Sequence, residues 1–564
     1  MTSKNDVDVL VVGAGPTGLT LAGELLRHGL GVRVVDKADA PTTLSKAIAV
    51  HARTLEIFDD LGIADEALSR GVVLRGATMS AGADRIASID FDELDTRFPY
   101  VLSISQAESE AILQALLVKR GGAVERSTEV VDFTTEPGAD AVTAVLRSAR
   151  GDEQLRAAFI VGCDGAHSIV RKKVGATFEG HSYEDVFVLA DVRIAWDAAT
   201  DRIATFFAED GIAACFPMKD DRWRVIITAD ADVAGGGTPT LEGVRAVTER
   251  RAARSMPMSD VAWIAAFKIH CRQVEHYRYG RALLAGDAAH VHSPAGGQGM
   301  NTGIQDAHNL AWKLALTIRG QAKPALLDSY EAERHAVGRA LLRATDAATK
   351  IGTLRGFVAT TARNNAARFF TSFDTMRRRI AREISELDVG YEKSPIVGEV
   401  TSSLIGARIG NAAAAESPTV GSRLDFRAGP HPGTRALDGK VTFEGKEMRL
   451  AQVIDSHAFT LLLFDGRSRT DAGYATLASI ARATRDKYGE LVRPLLVTPR
   501  RDRPSDLPVE LPVVVDHAGE LEARYGATTE CLYLVRPDLY VGFRSQPADE
   551  AALLAHLEMI LTSA

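Results

Sequence analysis

Three short apolar runs, VDVLVV at 7–12, AAFIVG at 157–162 and RALLAG at 281–286, each deliver the chain into glycine, two of them with an acid. The first opens Gly13-Ala-Gly15-Pro-Thr-Gly18, the second Cys163-Asp164-Gly165, and the third Ala285-Gly286-Asp287. Runs of this kind read as parallel strands buried on both faces. In an open α/β sheet, ligands bind outside the carboxyl ends of the strands. One glycine-rich turn alone is a weak signal. Three such ends point to a doubly wound α/β sheet with one dinucleotide site assembled from distant segments.

The first signature has the fullest context. Gly13 permits a tight turn, Gly15 lets a pyrophosphate approach the backbone, and Gly18 lets helix and strand pack closely. Residues 16–28 read as a helix with Leu19, Ala22, Leu25 and Leu26 on one face and Gly29 just past its end. Its N-terminus offers free N–H donors and the positive end of the helix dipole. A second strand, Gly31–Asp36, completes the βαβ unit and places the Asp36 carboxylate to accept ribose hydroxyls. Further on, Asp287 precedes AAHVHSPAGGQGMNTGIQDAHNLAWKL. There Gly296, Gly297 and Gly299 stand before a helix starting near Met300–Asn301, again an arrangement favouring negative charge.

Composition excludes several classes. With 564 residues, 46% hydrophobic and 25% charged, the chain matches ordinary soluble globular proteins, and its length predicts several domains. A net charge of −8 without a basic block argues against nucleic acid or an anionic membrane as partner. The N-terminus runs straight into the first strand without a signal-peptide layout, and no stretch approaches about 18 uninterrupted apolar residues. Cys163, Cys215, Cys271 and Cys531 are isolated, which fits a cytoplasmic protein without disulfides or a metal site.

The domain pattern is discontinuous. Residues 1–74, 99–180 and 275–400, with long helices, form the expected nucleotide-binding domain. Residues 75–98 and 181–274 form an inserted β-rich domain, where VFVLADVRI, IATFFAE, GIAACFPM, RWRVIIT and VAWIAAFKI read as an antiparallel sheet. After a Gly/Pro/Ala/Ser-rich break near 405–435, residues 420–564 read β-α-β-α-β-β-α, a thioredoxin-like layout. Its first strand leads into Asp465-Gly-Arg-Ser-Arg, where a redox version would carry cysteines. The tail therefore reads as a redox-inactive packing or homodimerisation module.

GAGPTG, CDGAHSIVR and AGDAAHVHSPAGGQGMNTGIQDAHNLAWKL together resemble the single-component FAD-dependent aromatic hydroxylases, with the para-hydroxybenzoate hydroxylase type of fold, across residues 5–395. The tail is similar to the thioredoxin-like extension of the phenol and polyketide hydroxylase branch. The resemblance implies FAD, NADPH or NADH as co-substrate, O2, and hydroxylation of a phenolic or polyketide aromatic through a flavin C4a-hydroperoxide. It places Asp287 at the ribityl and pyrophosphate region and Gln106 on the ribityl chain. Asp164 and Gly165 lie near FAD and NAD(P)H, with Arg171 close to phosphate. Gly299, Met300 and Asn301 line the isoalloxazine edge, and the Pro294 carbonyl faces substrate. Lys46 stands where the family has arginine against the pyrophosphate. Lysine keeps the charge without the planar fork, so a weaker hold on FAD is expected. For Arg53, a catalytic or flavin-edge role and simple pairing within its helix both stay open.

Phenolate formation calls for a base, with His51, His181, Tyr183 and His292 as candidates. Phe206, Phe207, Cys215, Phe216, Pro217, Met218 and Trp223 are the apolar candidates for the substrate wall, and strand alternation assigns about half of such residues to ordinary core. The expected partner is a small aromatic molecule. A Baeyer–Villiger oxygenase or epoxidase on the same fold is the alternative. A flavin dehydrogenase and a degenerate scaffold are more distant ones.

Overall fold

The computed structural model describes residues 5–42, 47–135, 138, 140–229, 239–293, 296–354, 356–401, 420–466, 472–500, 503, 507 and 510–563. The expectations for Lys46, Pro294 and residues 467–469 fall outside them. The chain divides into two compact units, residues 1–308 with 334–387, and residues 309–333 with 388–564.

In the first unit, the three apolar runs are neighbours in one sheet. Val7–Val12 lies between Val32–Val35 and Gly151–Gly162, and Ala282–Leu284 pairs the far side of Gly151–Gly162, all in parallel. The register is what brings the signatures together: Val12 is opposite Gly162, and Gly162 is opposite Leu284. Backbone bonds then cross the strand ends, from Cys163 N to Val12 O at 2.7 Å and from Ala285 N to Gly162 O at 3.0 Å. Helix Pro16–Arg27 follows the first turn with Leu19, Leu21, Ala22 and Leu25 buried.

A second sheet of eight strands runs in the order His290–Val291, Met258–Val274, Phe178–Ile194, Arg222–Thr228, Gly211–Pro217, Arg202–Ala208, Gly76–Ala81, Asp84–Asp90. Its pairings are antiparallel except that Arg202–Ala208 runs parallel to Gly76–Ala81. Strand alternation gives this sheet two distinct faces. Phe206, Ala213, Cys215, Trp223, Val225 and Ile227 share one face with Val244 and Val247 in a closed apolar core. Those two valines come from helix Leu241–Ala252, in a region the sequence reading took as mostly strand. The opposite face carries Phe187, Ile212, Ile226 and Phe267, joined by Tyr183, Ile269 and Cys271. Of the expected wall residues, Phe206, Cys215 and Trp223 are thus interior to this core. Phe216 is half-buried, and Pro217 is buried with its carbonyl accepting the Ser103 hydroxyl at 2.5 Å.

The second unit has its own eight-stranded sheet. At its centre, Phe459–Phe464 pairs parallel with Val492–Thr498 and antiparallel with Cys531–Val535, which in turn pairs antiparallel with Val541–Gln546. Helices Ala472–Tyr488 and Glu550–Ile560 contribute Tyr474, Leu477, Ile480, Leu553, Leu557 and Ile560 to an apolar core on this sheet. Its one cysteine among the described residues, Cys531, is buried. Among the described residues, no helix is long and apolar enough to cross a membrane.

Candidate active site

The turn after Val12 is shaped by what its glycines exclude. Gly13 has φ +99°, and a Cβ there would sit 2.5 Å from the Cys163 carbonyl oxygen. A Cβ on Gly18 would meet the Gly13 carbonyl oxygen at 2.0 Å, so the helix approaches the turn as closely as backbone allows. Gly15 differs. It has extended backbone, and a Cβ there would meet nothing within 4 Å. Open space therefore lies directly before the helix N-terminus, where an anion is best stabilised.

Asp36 closes this cradle. One carboxylate oxygen accepts from Ala14 N at 2.7 Å and the other from Ala38 N at 2.8 Å, with the Arg126 guanidinium 3.6 Å away. Lone pairs remain for a ribose hydroxyl, because each carboxylate oxygen accepts more than one bond. Arg126 was not singled out in the sequence, since nothing local to it signals proximity to Asp36.

The third strand end is held from behind by a buried network. Asp306, on helix Gly299–Ile318, accepts from Gly286 N at 2.9 Å, pairs with His290 Nε2 at 2.8 Å and with Arg334 Nε at 2.6 Å. Burial opposes its charge, but Arg334 and His290 overcome that and hold the carboxyl below the usual range. The result is a rigid turn, Gly286–Ala288, that projects the Asp287 side chain outward between buried neighbours. None of Asp306, His290 and Arg334 was picked out by sequence reasoning. The traces were the positions of His290 and Asp306 inside AGDAAHVHSPAGGQGMNTGIQDAHNLAWKL.

Other expected site residues occupy supporting positions. Asn301 is fully buried, accepts from His51 N at 2.9 Å, and donates to the Ala49 and Gly297 carbonyls at 2.9 and 3.0 Å. It pins the start of helix Gly299–Ile318 to the strand Ala49–Val50, with Met300 buried beside it. Gln106 begins helix Gln106–Lys119, accepts from Ala47 N at 3.3 Å and donates to Glu110 at 2.8 Å. Asp164 accepts from Ile169 N at 2.6 Å, capping the short helix Ile169–Lys173, and burial raises its carboxyl pKa. Arg171 donates to the Ala288 and Ala166 carbonyls at 3.2 and 2.7 Å, tying two of the strand ends together. Arg53 is buried and pairs with Glu56 at 2.8 Å, one helical turn on.

The base candidates separate by environment. His51 Nε2 lies 2.9 Å from the Gly296 carbonyl and His292 Nδ1 lies 2.9 Å from the Ser293 carbonyl. A carbonyl only accepts, so those nitrogens carry hydrogen and the other ring nitrogens keep their lone pairs. Burial lowers both rings to about 4, leaving them neutral at physiological pH. Tyr183 donates to Asp346, which His181 also approaches at 3.1 Å. Burial and that carboxylate push the Tyr183 phenol well up, so it stays protonated.

A profile of the FAD binding domain matches residues 6–345. The chain belongs to this FAD-binding family. Over 559 residues it is 34% identical to 6-methylpretetramide 4-monooxygenase of Streptomyces rimosus, covering 98% of this chain and 93% of that protein. It is 30% identical to pentachlorophenol 4-monooxygenase of Sphingobium chlorophenolicum, covering 96% and 94%. Among solved structures, the anhydrotetracycline hydroxylase OxyS from Streptomyces rimosus superimposes with a TM-score of 0.72 at 30% identity, covering 98% of both chains. This flavoprotein is a flavin-dependent monooxygenase of the α/β FAD-binding hydroxylase fold. It uses FAD, O2 and a reduced nicotinamide.

The flavoprotein also buries an acid close to this network. Glu386 accepts from Gln305 Nε2 at 2.5 Å, and burial raises its carboxyl to about 8 despite Arg334 nearby. The unfolded chain therefore loses this proton near the ordinary glutamate range while the folded one keeps it. Stability should fall as pH rises between those limits, and the penalty should be complete above about 8. Glu386→Gln should raise stability at pH 8 by on the order of 2 kcal/mol and change little at pH 4. Thermal unfolding of the two proteins at both pH values checks this, and equal shifts at both would contradict it.

Proposed function

We propose that this monooxygenase hydroxylates a phenolic ring of polycyclic, polyketide-like size, in a pocket whose wall is the Phe187–Ile212–Ile226–Phe267 face of the second sheet. The observation that carries the reading is the register that sets Gly13, Cys163 and Ala285 side by side, with open space at Gly15. Similarity along 98% of the chain to an enzyme named for 6-methylpretetramide, and to a solved anhydrotetracycline hydroxylase, supports the substrate class.

Each group then has a task. The Gly13–Gly18 turn and the helix behind it take the pyrophosphate, Asp36 the ribose, and the outward Asp287 the ribityl side. Lys46 adds charge at the pyrophosphate, and Gln106 contributes near the ribityl chain. Gly299, Met300 and Asn301 present the N-terminus of their helix to the flavin ring, and Pro294 contributes its carbonyl to substrate. Bound there and reduced by NADPH or NADH, FAD supplies the activation of O2. The chain's own residues orient the ring, exclude water and set its protonation. His51 and His292, neutral with free lone pairs, offer acceptors for a substrate hydroxyl, whereas Tyr183 has its one hydrogen committed to Asp346. Arg53, paired with Glu56, acts by positioning its helix.

Residues 420–564 serve as a thioredoxin-like packing or homodimerisation module. The strand order of that unit and the burial of Cys531 support this, and they support a redox-inactive tail. Isolated buried cysteines fit a cytoplasmic enzyme.

The test is the anaerobic rate of flavin reduction by NADPH and by NADH, with and without phenols and polycyclic quinols. At least tenfold acceleration by the polycyclic set is expected, since substrate binding completes the active arrangement. Fast reduction indifferent to any aromatic ligand would defeat the reading in favour of a ketone-directed oxygenase or a dehydrogenase.

A further inference from the structure

Helix Phe357–Thr371 carries a guanidinium, that of Arg363, with no counter-ion among the described residues. Arg363 is only 8% exposed, with its guanidinium carbon 4.8 Å from the centre of the Phe207 ring. Its Nε donates to Asn364 Oδ1 at 3.1 Å, and one terminal nitrogen reaches the Gly352 carbonyl at a long 3.5 Å. The other terminal nitrogen is buried and meets no hydrogen-bond partner among the described residues. Burial lowers the group's pKa, and no charge among the described residues offsets it.

Two other deeply buried arginines, one in the second sheet and one on helix Leu241–Ala252, are treated differently. Arg224 grips Asp191 through two bonds of 2.7 Å, and Arg251 pairs with Asp210 at 3.2 Å. An unpaired buried cation is expensive. Contact with Phe207 recovers part of the cost by a cation–π interaction, but it leaves one terminal nitrogen without a partner among the described residues and the other with a long bond only. Phe207 faces Ile212 across the strand pair, both half-buried, and Gly352 approaches the Ile212 side chain, so the guanidinium lies beside the apolar Phe207–Ile212 face of the sheet.

We propose that Arg363 anchors an ionised ring oxygen, a phenolate or enolate, of an aromatic substrate laid along the Phe207–Ile212 face. The proposal rests on the hydroxylase reading above and deepens it by naming the group that is recognised. A planar fork suits an oxygen anion conjugated to a flat ring better than an ammonium would. Ionisation also enriches the ring in electrons, the state an electrophilic oxygen attacks.

The test is titration of the oxidised holoenzyme with 2-hydroxyanthraquinone, at a pH where its hydroxyl is ionised, and with 2-methoxyanthraquinone, read by the flavin absorbance change. Wild type should bind the phenolate more tightly than the ether. Arg363→Met should weaken phenolate binding by roughly tenfold to a hundredfold and leave the ether unaltered. Arg363→Lys should fall between. Without ligand, Arg363→Met should unfold at the same temperature as wild type or higher, because an unpaired cation has been removed. A merely structural arginine would instead lower that temperature and weaken both ligands equally, which overturns the proposal. If wild type is accelerated by aromatic ligands but Arg363→Met keeps full phenolate preference, this inference alone falls. If wild type binds neither quinone and no aromatic ligand accelerates reduction, the hydroxylase reading falls and takes this inference with it.

Discussion

Gly15→Ala will fold as wild type does and fail to hold FAD. At this position backbone φ is −79°, which alanine adopts freely, and its Cβ meets no protein atom within 4 Å. Removing glycine here should even add a few tenths of a kcal/mol by restricting the unfolded chain. The new methyl would instead occupy the space before the helix N-terminus, and only a bound phosphate would encounter it. A loss of at least about tenfold in FAD affinity is expected, worth roughly 1.4 kcal/mol. Gly18→Ala provides the contrast. Its Cβ would lie 2.0 Å from the Gly13 carbonyl oxygen, so helix and turn must separate and the apoprotein itself should lose stability. Flavin absorbance per mole of purified protein, together with thermal unfolding of the flavin-stripped forms, distinguishes the two. Full flavin content in Gly15→Ala would remove the pyrophosphate from this turn.

Glu333→Gln will cost the second unit about 3–5 kcal/mol, the loss associated with breaking a buried ion pair. Glu333 is fully buried, with Arg536 at 2.6 Å and Lys313 at 2.7 Å, and it also accepts from Ser394 at 2.6 Å and Asn309 at 2.7 Å. Burial works against its charge, yet Arg536 and Lys313 hold the carboxyl far below the usual range. Asp538 is the other carboxylate on Arg536, and Trp312, Tyr391 and Tyr540 surround that guanidinium. Glutamine keeps the shape and removes the charge, leaving two buried cations facing one acid. The measurement is the thermal midpoint of the transition followed in the far ultraviolet. An unchanged midpoint would mean that the network is not needed for stability.

The strand-end signatures were legible because glycine and acid positions are fixed locally by the turn that follows a buried strand. Register then did the remaining work, placing Val12, Gly162 and Leu284 side by side. What the sequence concealed was the set of partners supplied from elsewhere in the chain. Arg126 beside Asp36, and Arg334 on Asp306, are pairings in which the arginine has no individual signature. The sheet faces were hidden for a different reason. Alternation separates Phe206 from Phe207 and Cys215 from Phe216 but does not say which side is covered. Helix Leu241–Ala252, whose LEGVRAVTERRA sequence gave no clear apolar stripe, covers the side of Phe206, Cys215 and Trp223. Arg363 was invisible because an arginine is noticed in a sequence by its company, and here the informative fact is that no acid among the described residues pairs with it.

The parallel pairing of Ala282–Leu284 with Gly151–Gly162 also sets a timetable. During synthesis, the glycine turn at Gly13 emerges long before the strand that carries Asp287 to its side. At ribosomal rates of about 5–20 residues per second, that interval is on the order of half a minute. Until then the first βαβ unit lacks the strand end that carries Asp287, so the complete FAD site can exist only late in synthesis.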